Sequence, residues 1–308
     1  MPSEKVPAFV CVYSPSGYGK TTDMGYSFPN ALFIAAPGAL KPLEGVCGYT
    51  PKEVQAATMD DATAIIRQVS ADKSLAFDAL VVDDFSFMAE QTMAVYEKRY
   101  SGFKLFGALR ESAIQFRNAA RYAGIHVAVN CWQKAPKLRD DGIRQRGGPD
   151  LTGKLPEQLP AMADLVLRGG RDPRRSPWAG IYHVDGGNDY VGKDRDGGTP
   201  EPAPMNLGEI LRLNGYTLSR HPDLPWQEPL VEEIAQTLLR HDPDGALNDA
   251  ARGLVEEAYT ALVGKGLHPL HVRWTMRDAL DRADLRRSQV IRHASFFGPA
   301  PKGGILGL

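Results

Sequence analysis

Cysteine is scarce in this chain. There are three in 308 residues, Cys11, Cys47 and Cys131, an odd number with no C-x-x-C spacing. That argues against a disulfide framework and a thiolate metal cluster. Cys11 and Cys131 fall in strand-like apolar segments, where a thiol serves as a small buried hydrophobe. Long hydrophobic runs are missing as well. No stretch of 18 apolar residues occurs and Met1-Pro2-Ser3-Glu4-Lys5 carries no signal-peptide pattern, so we expect no membrane association and a reducing, cytoplasmic setting. Charge of one sign is not in excess either: the formal net charge is −1, with 24% charged and 43% hydrophobic residues, the composition of an ordinary globular protein. No internal repeat is visible. His268-x-x-His271 has Pro269 between the two imidazoles and no third ligand nearby, and reads as structural.

What is present begins with "YSPSGYGKTTD", residues 13–23. It follows a β-branched and aromatic run, Ala8 to Tyr13, and leads into a helix-like segment ended by Phe28-Pro29. Strand, glycine loop, helix is the context in which G-x-x-x-x-G-K-[ST] cradles phosphates. The first glycine position holds Ser14, where a small residue can still turn. Ser16, Gly17, Tyr18, Gly19, Lys20, Thr21 and Thr22 form the expected nucleotide-binding set: backbone N–H groups around phosphate oxygens, Lys20 toward the β/γ-phosphates, and the Thr21 hydroxyl on Mg²⁺.

Further along, Ala79-Leu80-Val81-Val82-Asp83-Asp84 is an apolar strand ending in two acids. Asp83 is expected to hold the Mg²⁺ shell, and Asp84 to orient or deprotonate the attacking water. Ile125 to Val129 runs into Asn130-Cys131-Trp132-Gln133; ligands gather at strand carboxyl ends, so Asn130 and Gln133 could sense the γ-phosphate. Lys134, Lys137, Arg139, Arg144, Arg146 and Lys154 follow in a glycine-containing loop suited to a nucleic-acid backbone and to ordering on binding. Lys193-Asp194-Arg195-Asp196-Gly197 would expose two cations at a turn, within reach of a γ-phosphate on a neighbouring subunit.

Strand-like segments at 7–13, 31–35, 79–83, 125–130, 164–168 and 179–184 alternate with helices near 20–27, 60–70, 86–98 and 107–123, the pattern of a mostly parallel α/β sheet. A proline-rich connector, Thr199 to Pro204, precedes a helices-only region: Pro229 to Arg240, Leu247 to Val263 with Asn248 or Asp249 as cap, and about 270–293. We therefore expect an ATPase core over 1–215 and a small all-helical region over 216–308 with a glycine-rich tail. Residues 221–264 hold nine acids and two basic residues, whereas 265–308 hold eight basic residues and three acids. That asymmetry suits packing between subunits or contact with nucleic acid.

In order, SGYGKTT, LVVDD, VAVNCWQ, ADLVLRGG and GKDRDG resemble the RecA-like P-loop ATPases of bacteriophages, in particular those acting as single-strand annealing or recombination factors. The likeness runs over roughly residues 5–215. It implies a RecA-type core, ATP with Mg²⁺, and a homo-oligomeric ring or filament on single-stranded DNA. It further implies a single-strand-binding or replication protein as candidate partner, the infected host's cytoplasm as location, and a trans-acting role for Lys193 and Arg195. The chain departs from such proteins after its second strand, where a water-activating glutamate is usual and Ala35-Ala36-Pro37-Gly38 stands instead, with no carboxylate before Glu44. Either Asp84 takes that role or hydrolysis is slow. The alternatives to a DNA-stimulated ATPase are a ring helicase or translocase, and a nucleotide-gated assembly protein.

Overall fold

The computed structural model describes residues 5–43, 50–72, 74–140, 142–171, 180–187, 189–218, 228–245, 249–265 and 269–297. Cys47, Glu44, Asn248, His268 and the tail from 298 lie outside them, and so do the structural expectations attached to those residues.

The first half alternates strand and helix: β1 Phe9–Ser14, α1 Lys20–Ser27, β2 Ala31–Ala35, β3 Lys52–Gln55, α2 Met59–Ala71, β4 Ala79–Asp83, α3 Phe85–Glu97 and α4 Gly102–Arg121. Next come β5 His126–Lys134, β6 Lys137–Leu138, β7 Arg144–Gln145, β8 Gly148–Pro149, α5 Leu155–Met162, β9 Leu165–Arg171, β10 Gly180–His183, β11 Lys193–Asp194 and β12 Ala203–Pro204. The chain then becomes helical: α6 Leu207–Leu213, α7 Glu228–His241, α8 Asp249–Gly264 and α9 Pro269–Phe297.

The main sheet has the order β12-β10-β9-β1-β5-β4-β2-β3. Its body from β9 to β3 is parallel, and β10 and β12 close one edge antiparallel. β1, β2 and β4 are buried along their whole length, which is why they read as unbroken apolar runs rather than alternating ones. One layer, holding Met24, Phe28, Phe33, Leu207 and Ile210, lies on the side of α1 and α6. The other holds Ile66, Phe85, Met88 and Phe116 from α2, α3 and α4. A separate cluster of Val231, Leu238, Leu262, Met276 and Ala279 binds α7, α8 and α9 together.

Several elements escape a sequence reading. β3 is a short edge strand with every residue exposed, so it carries no apolar signature. α5 contains Pro160, and α6 is only seven residues long. The connector at 199–204 contributes β12, paired to β10 through Ile181 and Tyr182. The charge asymmetry of the C-terminal helices resolves inside the chain in part. Glu232 of α7 pairs with Arg282 and Arg286 of α9 at 3.1 and 2.7 Å, and Asp242 lies 3.5 Å from Arg287. Arg282 also forms a double hydrogen bond with buried Glu209 of α6, both at 2.9 Å. Some of the opposite charges therefore join α9 to α6 and α7 within one chain.

Candidate functional site

The phosphate loop joins β1 to α1 at the carboxyl edge of the sheet. Gly17 and Gly19 adopt φ of 76° and 88°, a left-handed conformation that a side chain would strain. Gly19 is the N-cap of α1 and offers no side-chain cap, so the helix's first amides remain open toward the loop. Lys20 folds back over the loop and donates to Ser14 O (3.0 Å), Ser14 Oγ (3.1 Å) and Pro15 O (3.3 Å). Burial lowers its pKa, while Asp84 and Asp83 favour the charged form. The serine in place of the first glycine is accommodated across the sheet. A Cβ on Gly169 of β9 would stand 2.8 Å from Ser14 Cβ, so glycine at 169 makes the room that serine at 14 takes.

Thr21 Oγ1 donates to Asp83 Oδ2 at 2.6 Å, bringing together the hydroxyl and the carboxylate expected on Mg²⁺. Burial raises the pKa of Asp83, and the Thr21 hydrogen bond opposes that rise. Asn130, fully buried on β5, faces Asp83 and also favours its ionised form. Neither amide atom of Asn130 has a hydrogen-bond partner among the described residues. Asp84 caps α3, accepting from Ser86 N at 3.0 Å. Burial, then the adjacent Asp83, push its pKa up to about 6.

The donor set fits the expected ligands. One threonine hydroxyl and one carboxylate in contact, with no group of three or more His, Cys, Asp or Glu side chains among the described residues, suit a hard cation that keeps waters and phosphate oxygens. When bound, Mg²⁺ would be held by Thr21 and Asp83 and would neutralise charge developing on the phosphates. The orphaned Asn130 amide, buried between β1 and β4, is a polar group in need of a partner.

The remaining expected residues are dispersed. Gln133 lies further along β5, its Nε2 3.3 Å from the Tyr190 hydroxyl rather than beside Asp83. The basic loop is built as a hairpin of β6 and β7 instead of a long irregular loop. Arg144 pairs with Asp189 at 2.5 Å, and Arg146 donates to the carbonyls of Gly187 (2.7 Å) and Tyr190. Lys137, Arg139 and exposed Leu138 and Ile143 stand on the hairpin, Lys134 leads into it, and Lys154 caps α5 beyond it. Ser86 ties this region to the acids: its Oγ donates to Asp150 O (2.7 Å) and accepts from Trp132 N (2.9 Å).

Lys193 and Arg195 sit at the opposite edge. β11 pairs with the first residues of β9, Lys193 donates to Ala161 O (2.8 Å) at the end of α5, and Arg195 pairs with Asp164 at 2.9 Å. Asp164 also receives Phe9 N at the start of β1. The five steps of β1 separate that point from the loop by ~17 Å, so neither cation serves the phosphate loop of its own chain.

Sequence reasoning passed over Asp23, although it closes the quoted stretch. It is buried and accepts from Tyr182 Oη (2.6 Å), Leu207 N (3.2 Å) and Arg277 Nη2 (2.6 Å), joining α1 to β10, α6 and α9. The available signal was an acid three residues after Lys20, on the face of α1 that must enter the core. Arg171 was missed as well. Its Nη2 donates to Gly17 O at 2.8 Å, and its guanidinium lies 4.8 Å from the Tyr18 ring centre.

Among curated proteins, none matches this sequence. The crystal structure of the RadB recombinase is similar at 17% identity, with 58% of this chain and 80% of that chain covered and a TM-score of 0.38. No helix among the described residues is long and apolar enough to cross a membrane. The family profile described as "AAA domain" matches residues 7–195, which span the phosphate loop, both acids and the Lys193–Arg195 turn. With a parallel sheet carrying that loop after its first strand and the paired acids at the end of its fourth, the chain belongs to the AAA domain family of P-loop ATPases.

Proposed function

We propose that the protein hydrolyses Mg-ATP and couples hydrolysis to single-stranded DNA, as a recombination or annealing factor encoded by a bacteriophage and assembled as a ring or filament in the host cytoplasm. The observation that carries the reading is the contact of Thr21 with Asp83 beneath the phosphate loop, with Asp84 and the unsatisfied Asn130 beside it. Lys20 and the loop amides hold the triphosphate, and Thr21 and Asp83 hold the cation. Asp84, at a pKa of about 6, is ionised near neutral pH and accepts the proton of the attacking water or fixes its orientation. Asn130 donates to the terminal phosphate and registers its presence.

Support for DNA as effector lies at the same edge of the sheet. Lys134, Lys137, Arg139 and Lys154 supply charge, Arg144 and Arg146 brace the hairpin, and Phe103, 98% exposed, with Phe106 and Tyr100 offers faces on which bases stack. Ser86 gives the coupling a route: its amide holds Asp84 while its hydroxyl bonds Trp132 and Asp150 at the two ends of the hairpin segment. Lys193 and Arg195 supply the cations for a neighbour's γ-phosphate, which requires Arg195 to leave Asp164. A single-strand-binding or replication protein is the proposed further partner.

A second reading, a nucleotide-gated assembly switch with weak turnover, is favoured by Asp84's engagement as the cap of α3. The test is steady-state ATP turnover with and without single-stranded DNA, beside Asp84→Asn. DNA stimulation that Asp84→Asn removes supports the first reading. Tight ATP binding with negligible turnover in both conditions replaces it with the second.

A further inference from the structure

On the β9 side of β1, away from Asp83, a cavity of about 410 Å³ opens behind the phosphate loop. Its walls are Tyr18, Tyr26, Arg171, Met205, Arg277 and Asp281. The last two belong to α9, far beyond the residues matched by the family. On the reading proposed above, the terminal phosphate would lie toward β4, where Thr21 meets Asp83. The α-phosphate end, with its sugar and base, would then leave on the side of Thr22 and Tyr26, where this space opens. The volume lies in the range of small-molecule sites.

The cavity carries an unsatisfied donor. Arg277 is 5% exposed; its Nη2 donates to Asp23 Oδ1 (2.6 Å) and to the Met205 carbonyl, yet its Nη1 has no partner among the described residues. Its guanidinium also lies 5.0 Å from the Tyr26 ring centre. A buried guanidinium N–H without an acceptor is costly, and the ring nitrogens or carbonyl of a nucleobase would supply one. Arg171, stacked on Tyr18 at the mouth, adds a flat surface against which a base can lie.

We propose that this cavity holds the base and sugar of the nucleotide and that Arg277 of α9 reads the base, which makes the C-terminal helices part of the nucleotide site. The proposal rests on the phosphate-loop reading above and extends it. Through Asp23 the same arginine grips α1 within one turn of Lys20, so filling the cavity stiffens the joint between α1 and α9.

The experiment is calorimetric titration of the full chain with ATP and with inorganic tripolyphosphate, both with Mg²⁺, in wild type, Arg277→Lys and Arg171→Ala. The wild type is expected to prefer ATP about ten-fold or more, the scale of one base stack. Arg277→Lys keeps the charge opposite Asp23 but loses the fork, and Arg171→Ala lies at the surface and leaves the fold intact. Both are expected to shrink the ATP-to-tripolyphosphate ratio several-fold. Equal affinity of the two compounds for wild type overturns the proposal, as does a ratio that neither variant moves. If neither compound binds and Lys20→Ala changes nothing, the phosphate-loop reading fails and takes this one with it. Should Arg277→Lys not fold, the Arg171→Ala ratio decides alone.

Discussion

Single residues set the terms of this site through what they exclude. Ser14 occupies a position where glycine is usual, and the space it needs is left by Gly169 on the next strand. Gly169→Ala should cost about 1–3 kcal/mol of stability through overpacking and weaken nucleotide binding, and Ser14→Gly in the same chain should restore much of both. Chemical denaturation of the two single variants and the double variant would reveal the coupling; strictly additive losses would refute it. Asp84→Asn should reduce turnover by about 10²–10⁴-fold while ATP still binds, measured by single-turnover hydrolysis beside equilibrium binding. His126 is a third case, outside the site. Ala8 N–H donates to its Nδ1 at 3.0 Å, so the ring proton sits on Nε2 and is donated to Thr217 O at 3.0 Å. Burial lowers its pKa below the usual value of about 6.5. The unfolded chain therefore binds this proton first as pH falls, and the folded state loses stability from about pH 6.5 downward to the depressed folded-state pKa. His126→Asn should show a smaller fall in unfolding free energy between pH 7.5 and 5.5 than wild type.

At the scale of elements, the segment from β5 through the hairpin to α5 joins the edge that carries Asp83 and Asp84 to the surface proposed to meet nucleic acid. Ser86 is its fastening, with one bond back to Asp84 and two outward. Ser86→Ala should leave ATP binding and basal turnover close to wild type but reduce stimulation by single-stranded DNA, a split that a simple loss of stability would not produce. The C-terminal helices are fastened differently, through buried charges rather than apolar faces alone. Glu209→Ala removes the double hydrogen bond from buried Arg282, which keeps Glu232 at 3.1 Å, and should cost about 1.5–3 kcal/mol, read from the shift of the denaturation midpoint. α9 could be recognised in the sequence as a helix from its length and spacing. Its arginines invited a nucleic-acid reading, because a one-dimensional pattern cannot tell a solvated cation from one that meets Asp23, Glu209 or Glu232 after folding.

For the whole molecule, the proposed assembly places Lys193 and Arg195 on one subunit's far edge against the next subunit's phosphates. Arg195→Ala should bind ATP normally, lose DNA-stimulated turnover, and regain part of it when mixed with Lys20→Ala chains, since each then supplies what the other lacks. Mixed subunits that remain inactive at every ratio would exclude a shared site. Binding to single-stranded DNA should weaken steeply with salt as phosphate contacts displace counterions, and a flat salt profile would remove the hairpin from the interface.

Loop, strand and acid were legible in the sequence because each is local. Gly17 and Gly19 bend the chain, Lys20 and Thr21 follow at fixed spacing, and an apolar run ending in Asp83-Asp84 must emerge at a sheet edge. Unbroken apolar runs likewise made β1, β2 and β4 readable and helical spacing the long helices, while exposed β3 and seven-residue α6 carry too little apolar pattern to be seen. Which distant groups meet was decided by tertiary structure alone. Gly169 opposite Ser14, Arg171 on Gly17 and Arg277 on Asp23 join residues more than 150 positions apart, and no local spacing encodes them. They arise when parallel strands bring their carboxyl ends to one edge and α9, packed on α6 and β12, reaches α1 through Arg277, where a buried carboxylate must find its cation.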